Sequence, residues 1–154
     1  MTNATHTELL LALEPLPDAA AAARRALKER GLHPDIAHTV SLLTSEVVGN
    51  AVRHANLQPG DKIVLHARLE EDCARVDVAD PGRGFDPEVR HSAAGFGLRL
   101  IDKLAADWSV RRSERGCTVS FVVDRSSGQR FRRPAGYPSA SSAARRPLRT
   151  APSM

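Results

Sequence analysis

Three short blocks in a fixed order constrain this chain more than anything else in it: SEVVGNAVRHA at residues 45–55, DPGRGF at 80–85 and GFGLRL at 95–100. The first is compatible with a helix. On it Glu46, Asn50 and His54 stand at i, i+4 and i+8, each stepping about 40° around the axis from the last, so they form one polar stripe. The second block sets an acid before a glycine turn, and the third sets a glycine pair ahead of a helix start. Any fold in which the three act together must bring a helix face, a strand end and a helix N-terminus to one place.

The surrounding residues supply the elements. ELLLALEPLP (8–17) is apolar and closes on two prolines, which predicts a short first strand. DAAAAARRALKERG (18–31) is made of strong helix formers with Gly31 as its stop. Pro34 suits a first helical turn, and Ile36, Val40, Leu43 and Val47 recur at helical spacing, which carries a second helix to about Ala55. KIVLHARL (62–69) and ARVDVAD (74–80) alternate around the charged turn Glu70, Glu71, Asp72 and read as an antiparallel hairpin. A long loop rich in Gly, Pro and Asp follows. LRLIDKLAADW (98–108) resumes helical spacing, and WSVRR (108–112) with CTVSFVV (117–123) forms a second hairpin. The expected fold class is α/β in the sense of an α+β sandwich: a mixed, mainly antiparallel sheet with helices layered on one face. There is no internal repeat.

Charge separates this region from the end of the chain. The 154 residues carry 22 Lys and Arg against 18 Asp and Glu, a formal net charge of +4. Seven arginines lie at or after Arg125, where there is no Asp, Glu or Lys, so the 15 remaining basic residues face all 18 acidic ones and residues 1–124 are mildly acidic. The expected organisation is a flexible N-terminus (1–7), one folded domain (8–124) and a basic, disordered tail (125–154). Arginines gathered in such a tail, with aromatics at 4%, do not make a base-stacking surface, so direct nucleic-acid binding is not expected. No apolar run reaches the roughly 20 residues of a membrane span. Cys73 and Cys117 are too far apart for a CxxC site and fall in strand-like segments, where cysteine packs as a small hydrophobe. The expected location is the cytoplasm, without a membrane partner.

The three blocks carry the chemistry. The stripe borders the apolar face of its helix, so Glu46 could accept a proton from an attacking hydroxyl, and the Asn50 amide oxygen is a hard, neutral ligand suited to magnesium. Gly49, inside the helix, hints that something approaches the backbone closely there. Asp80 is acceptor-only when ionised and could take a hydrogen bond from an exocyclic amine, with Gly82 and Gly84 letting main chain lie against a flat ligand. Gly95 and Gly97 precede a helix start, whose N–H groups and dipole attract phosphate, and Arg99 adds charge. The pattern is neither a P-loop nor a dinucleotide-binding fingerprint. Singly, each block also fits an ordinary role: a solvated acid, a plain Asp-Pro-Gly turn, flexible glycines before a helix. The set is more specific than its parts.

As a set, EVVGNAVRHA, DVADPGRGF and GFGLRLIDKL, with RGCTVSFVV behind them, resemble the N, G1 and G2 boxes and final strands of the histidine-kinase-like (GHKL) ATPase superfamily over residues 8–124. Small size, the lack of a phosphoacceptor helical hairpin and the IDKLAADWSV continuation most resemble the serine kinase anti-sigma factors. The resemblance implies a Bergerat-type fold that binds ATP and Mg2+. Glu46 would be the general base, Asn50 the magnesium ligand and Asp80 the adenine-reading acid, backed by Thr118. Gly82 and Gly84 would shape the adenine wall. Gly95, Phe96 and Gly97 would offer N–H groups to phosphates, with His54 and Arg99 nearby, under a short lid from Asp86 to Ala94. It implies a homodimeric protein serine/threonine kinase that binds a sigma factor and phosphorylates an anti-sigma-factor antagonist. The alternative is a non-catalytic ATP-binding module that regulates a partner by binding alone. Two features depart from the pattern: Gly49, where a larger residue often stands, and the basic tail.

Overall fold

The computed structural model describes residues 6–82 and 96–127. The first strand, β1 (Thr7–Leu13), alternates, burying Leu9 and Leu13 and leaving Leu10 72% exposed on the other side. Helix α1 (Ala19–Glu29) buries Ala19, Ala23 and Leu27, one residue per turn. It stops at Gly31, whose φ of +75° costs a glycine no steric strain. Helix α2 (Pro34–His54) begins with proline at its first position and with His33 Nδ1 accepting from the Asp35 N–H at 3.1 Å. Its buried face holds Ile36, Val40, Leu43, Val47, Val48 and Ala51. Each fully buried aliphatic side chain among them contributes about 1.5–3 kcal/mol of apolar transfer energy.

Strands β2 (Ile63–Leu69) and β3 (Cys73–Asp80) form the expected hairpin, with Leu65 opposite Val78 and Ala67 opposite Val76. After helix α3 (Phe96–Leu104) come β4 (Asp107–Ser113) and β5 (Gly116–Asp124). The sheet order is β1-β2-β3-β5-β4. The sheet expected to be mixed and mainly antiparallel is antiparallel at all four of these pairings. From β3 the chain crosses through α3 to the far edge, makes β4, and returns as β5 between β3 and β4. α1 packs on α2 and β1, α2 reaches β3 and β5, and α3 lies against α2 and β4. The result is the two-layer sandwich expected, its core filled by Val76, Val78, Val119, Phe121 and Val123 from the sheet and by the buried faces of the helices.

One boundary differs from the sequence reading. α3 ends at Leu104, the last residue of the spacing that predicts it. The Ala106 N–H donates to the Val122 carbonyl at 2.7 Å, which draws the chain into the sheet two residues after the helix, and Trp108 becomes a strand residue opposite Phe121. Its indole still reaches back to Asp102 on the helix at 3.1 Å. At the other end, the described structure continues past Asp124. Ser127 is fully buried, its Oγ donates to the Asp124 carbonyl, and Arg125 makes a 2.8 Å ion pair with Asp35 at the start of α2.

Candidate functional site

The stripe on α2 sits where helical spacing puts it, on the shoulder of the buried face. Glu46 and His54 are half-buried, whereas Asn50 keeps only 7% of its surface exposed. A carboxamide that deep needs a partner. Asn50 Oδ1 accepts a hydrogen bond from Arg53 Nη2 at 3.1 Å, so the guanidinium folds back along its own helix. Gly49 makes room for it: a Cβ added there would lie 3.0 Å from Arg53 Nη1. The interior helix glycine thus has a packing reason.

Asp80 ends β3 on the same face of the sheet as Val76 and Val78, toward the helices. Its Oδ1 accepts from the Gly82 N–H at 2.9 Å, closing a tight turn over Pro81. Burial pushes the Asp80 carboxyl above the usual aspartate range, and the Gly82 hydrogen bond opposes this only in part. Two glycines hold the turn in place. A Cβ on Gly82 would lie 2.0 Å from the Ala55 carbonyl oxygen, which means that the turn is pressed against the C-terminal end of α2, one residue beyond His54. A Cβ on Gly116 would lie 1.9 Å from the Asp80 carbonyl oxygen, and Gly116 has φ of +136°. Asp80 is therefore lodged between the end of the helix that carries the stripe and the start of β5.

One expected residue is misplaced by the sequence reading. Thr118 was expected to back Asp80, but it pairs with Ala79 and shares the sheet face opposite the helices. The residue opposite Asp80 is Cys117, which is buried on the helix side with Val119 and Phe121. The reason is the two-residue side-chain period of a strand: a shift of one position moves a side chain to the other face. Phe96 and Gly97 open α3, where first-turn N–H groups have no acceptor within the helix, and Arg99 is exposed on the same helix, which packs on α2. Gly84, Gly95 and the segment from Asp86 to Ala94 lie outside the described residues.

The sequence reading missed Arg53, Gly116 and Cys117. Gly49 four positions before Arg53 was a signal for the first. For the other two, only strand register could have shown which residues reach Asp80.

The donor set fits magnesium rather than a metal held by protein alone. Among the described residues no group of three or more His, Cys, Asp and Glu could hold an ion. Magnesium is commonly held by one or two protein oxygens together with phosphates and water. The Asn50 oxygen accepts from the Arg53 guanidinium.

The comparisons with known proteins agree with this fold. A solved chain comprising the RsbU and RsbW domains of Rv1364c from Mycobacterium tuberculosis is similar in fold, with a TM-score of 0.60 and 23% identity over 77% of this chain and 32% of that one. The histidine kinase domain of the blue-light activated histidine kinase EL346 from Erythrobacter litoralis gives a TM-score of 0.52 and 22% identity over 74% of this chain and 63% of that one. This chain thus spans about a third of the first and under two thirds of the second. No curated relative matches. The family profile described as the histidine kinase-like ATPase domain matches residues 10–123, which takes in all three helices, β2, β3 and β4, and most of β1 and β5. The chain belongs to the histidine kinase-like ATPase family.

Proposed function

We propose that this chain is an ATP-binding regulatory protein serine kinase, an anti-sigma factor that phosphorylates an anti-sigma-factor antagonist and binds a sigma factor as a homodimer. The observation that carries the nucleotide part of this reading is the packing of the Asp80 turn on the end of α2, with Gly82 against the Ala55 carbonyl. It brings a half-buried acid to the end of the helix that carries Glu46, Asn50 and His54. Family membership supports ATP as the ligand.

In this reading Asp80 turns one oxygen to Gly82 and offers the other to the exocyclic amine of adenine. Gly82 and Gly84 form the wall beside the base. The first-turn N–H groups of α3, Phe96 and Gly97 among them, receive phosphate oxygens, with His54 and Arg99 adding positive or polar groups. Asn50 holds magnesium, which when bound supplies positive charge to the phosphates. Glu46, one helical turn before Asn50, takes the proton of the antagonist's serine hydroxyl.

The test is the thermal unfolding midpoint with ATP and with ADP, each with and without magnesium, for the wild type and Asp80→Ala. Nucleotide at about 100 times its dissociation constant stabilises a native state by roughly 2.7 kcal/mol. A magnesium-enhanced shift that disappears in Asp80→Ala is the expected result. No shift with any nucleotide would overturn the reading.

A further inference from the structure

We propose that Arg53 is an internal stand-in for the magnesium ion on Asn50, and that it sets how much magnesium the site requires. The inference rests on the reading of Asn50 as the magnesium ligand and goes beyond it. Its first ground is the 3.1 Å hydrogen bond from Arg53 Nη2 to Asn50 Oδ1, the atom that would coordinate the ion. Asn50 is almost wholly buried, so its oxygen without a cation or donor would stand unpaired. Arg53 supplies both a donor and a charge.

The second ground is the space beside the guanidinium. Gly49 leaves a space that the guanidinium fills: an added Cβ would meet Nη1 at 3.0 Å, Nη2 at 3.4 Å and Cζ at 3.5 Å. All three contacts are with the guanidinium, so the group lies across the helix backbone at Gly49 while it holds Asn50. Glycine is otherwise a poor choice for the interior of α2.

Magnesium binds oxygen at about 2.0–2.1 Å. An ion at that distance from Oδ1 and a guanidinium hydrogen-bonded to the same atom are two like charges a few ångströms apart, and their repulsion disfavours both being present together. Magnesium and Arg53 therefore compete for Asn50. In the absence of the ion the arginine keeps the carboxamide oriented and satisfied. When the ion arrives the side chain must leave, and it can do so because Arg53 is exposed to solvent.

The experiment is a magnesium titration at saturating ADP, read by the unfolding midpoint and by calorimetry, on the wild type, Arg53→Ala and Gly49→Ala. No catalytic turnover enters the readout. The half-saturating magnesium concentration is expected to fall about tenfold in Arg53→Ala, the size of one charge-assisted hydrogen bond. It is expected to fall by less in Gly49→Ala, where the added methyl only crowds the guanidinium. An unchanged or increased requirement in both variants, beside a wild type that shows a magnesium-dependent shift, overturns the role of Arg53 and leaves the nucleotide reading intact. A wild type with no nucleotide-dependent shift at any magnesium concentration overturns both. Gly49→Ala guards against misfolding of Arg53→Ala, because alanine favours the helix.

Discussion

Gly82 stands against the carbonyl of Ala55 so closely that no other residue fits between them without moving backbone. This contact joins the end of β3 to the end of α2. Gly82→Ala is expected to cost about 2–4 kcal/mol in urea unfolding, since the clash is with main chain rather than with a side-chain tip that can swing away. It should also weaken nucleotide binding more than its effect on folding explains, because the turn that aims Asp80 must shift. A stability change under about 0.5 kcal/mol would show that the two segments are not in contact.

The raised pKa of Asp80 fixes a sign. The folded protein holds this proton more tightly than the unfolded chain does, because burial penalises the carboxylate. Its favourable contribution is therefore complete below the unfolded aspartate value of ~3.9 and is lost as pH rises through the higher folded value. Asp80→Asn, which cannot ionise, should gain stability relative to the wild type across that window and then hold a constant lead. Urea unfolding of both proteins over a pH series measures it. The same substitution should abolish adenine binding, since the amide nitrogen replaces an acceptor with a donor.

Strand register separates Thr118 from Cys117. Thr118→Ala should leave nucleotide affinity and stability within about 0.5 kcal/mol of the wild type, as a surface change away from the site does. Cys117→Leu should cost about 1–3 kcal/mol through overpacking beside Asp80 and should weaken nucleotide binding as well. If Thr118→Ala proved to be the damaging variant, the register of β3 with β5 would be refuted.

Glu46→Ala should keep the magnesium-enhanced thermal shift and lose phosphoryl transfer to the antagonist. A gel shift of the antagonist incubated with radiolabelled ATP reads the transfer directly. General bases contribute about 10²–10⁴-fold in rate, so residual transfer should fall by that order. Transfer at the wild-type rate would remove Glu46 from the chemistry.

Ser127 closes the fold beyond β5. Its buried hydroxyl donates to the Asp124 carbonyl at 2.6 Å, and its N–H donates to Asp124 Oδ1 at 2.6 Å. A chain ended at Asp124 should therefore be less stable than one ended at Ser127 by about 1–3 kcal/mol, from the loss of a buried hydrogen-bonded residue. Equilibrium unfolding of the two truncations checks it.

The elements that could be read from the sequence are those whose signal is local. Ile36, Val40, Leu43 and Val47 announce α2 by their spacing alone, and the alternation of Ile63, Leu65 and Ala67 announces β2. The stripe of Glu46, Asn50 and His54 followed from the same periodicity. What the sequence hid depends on neighbours far along the chain. α3 gives way to β4 where Val122, in another strand, takes the Ala106 N–H. Cys117 rather than Thr118 faces Asp80 because β5 pairs with β3 in one register and no other. Arg53 went unread, because its one linear signal is the glycine four positions before it and the fold of its side chain across that glycine is a three-dimensional fact.

The return of β5 into the gap between β3 and β4 has a consequence for the protein during its own synthesis. Asp80 leaves the ribosome well ahead of Gly116 and Cys117, and until those residues follow, β3 is an unpaired edge and β4 has no partner. The acid proposed to read adenine then has only one of its two flanking walls. A nascent chain can form its first hairpin and both leading helices, yet the pocket closes only when the last strand has emerged and threaded inward. Nucleotide added during translation should leave the partial chains unchanged and protect the protein only after its final strand is free.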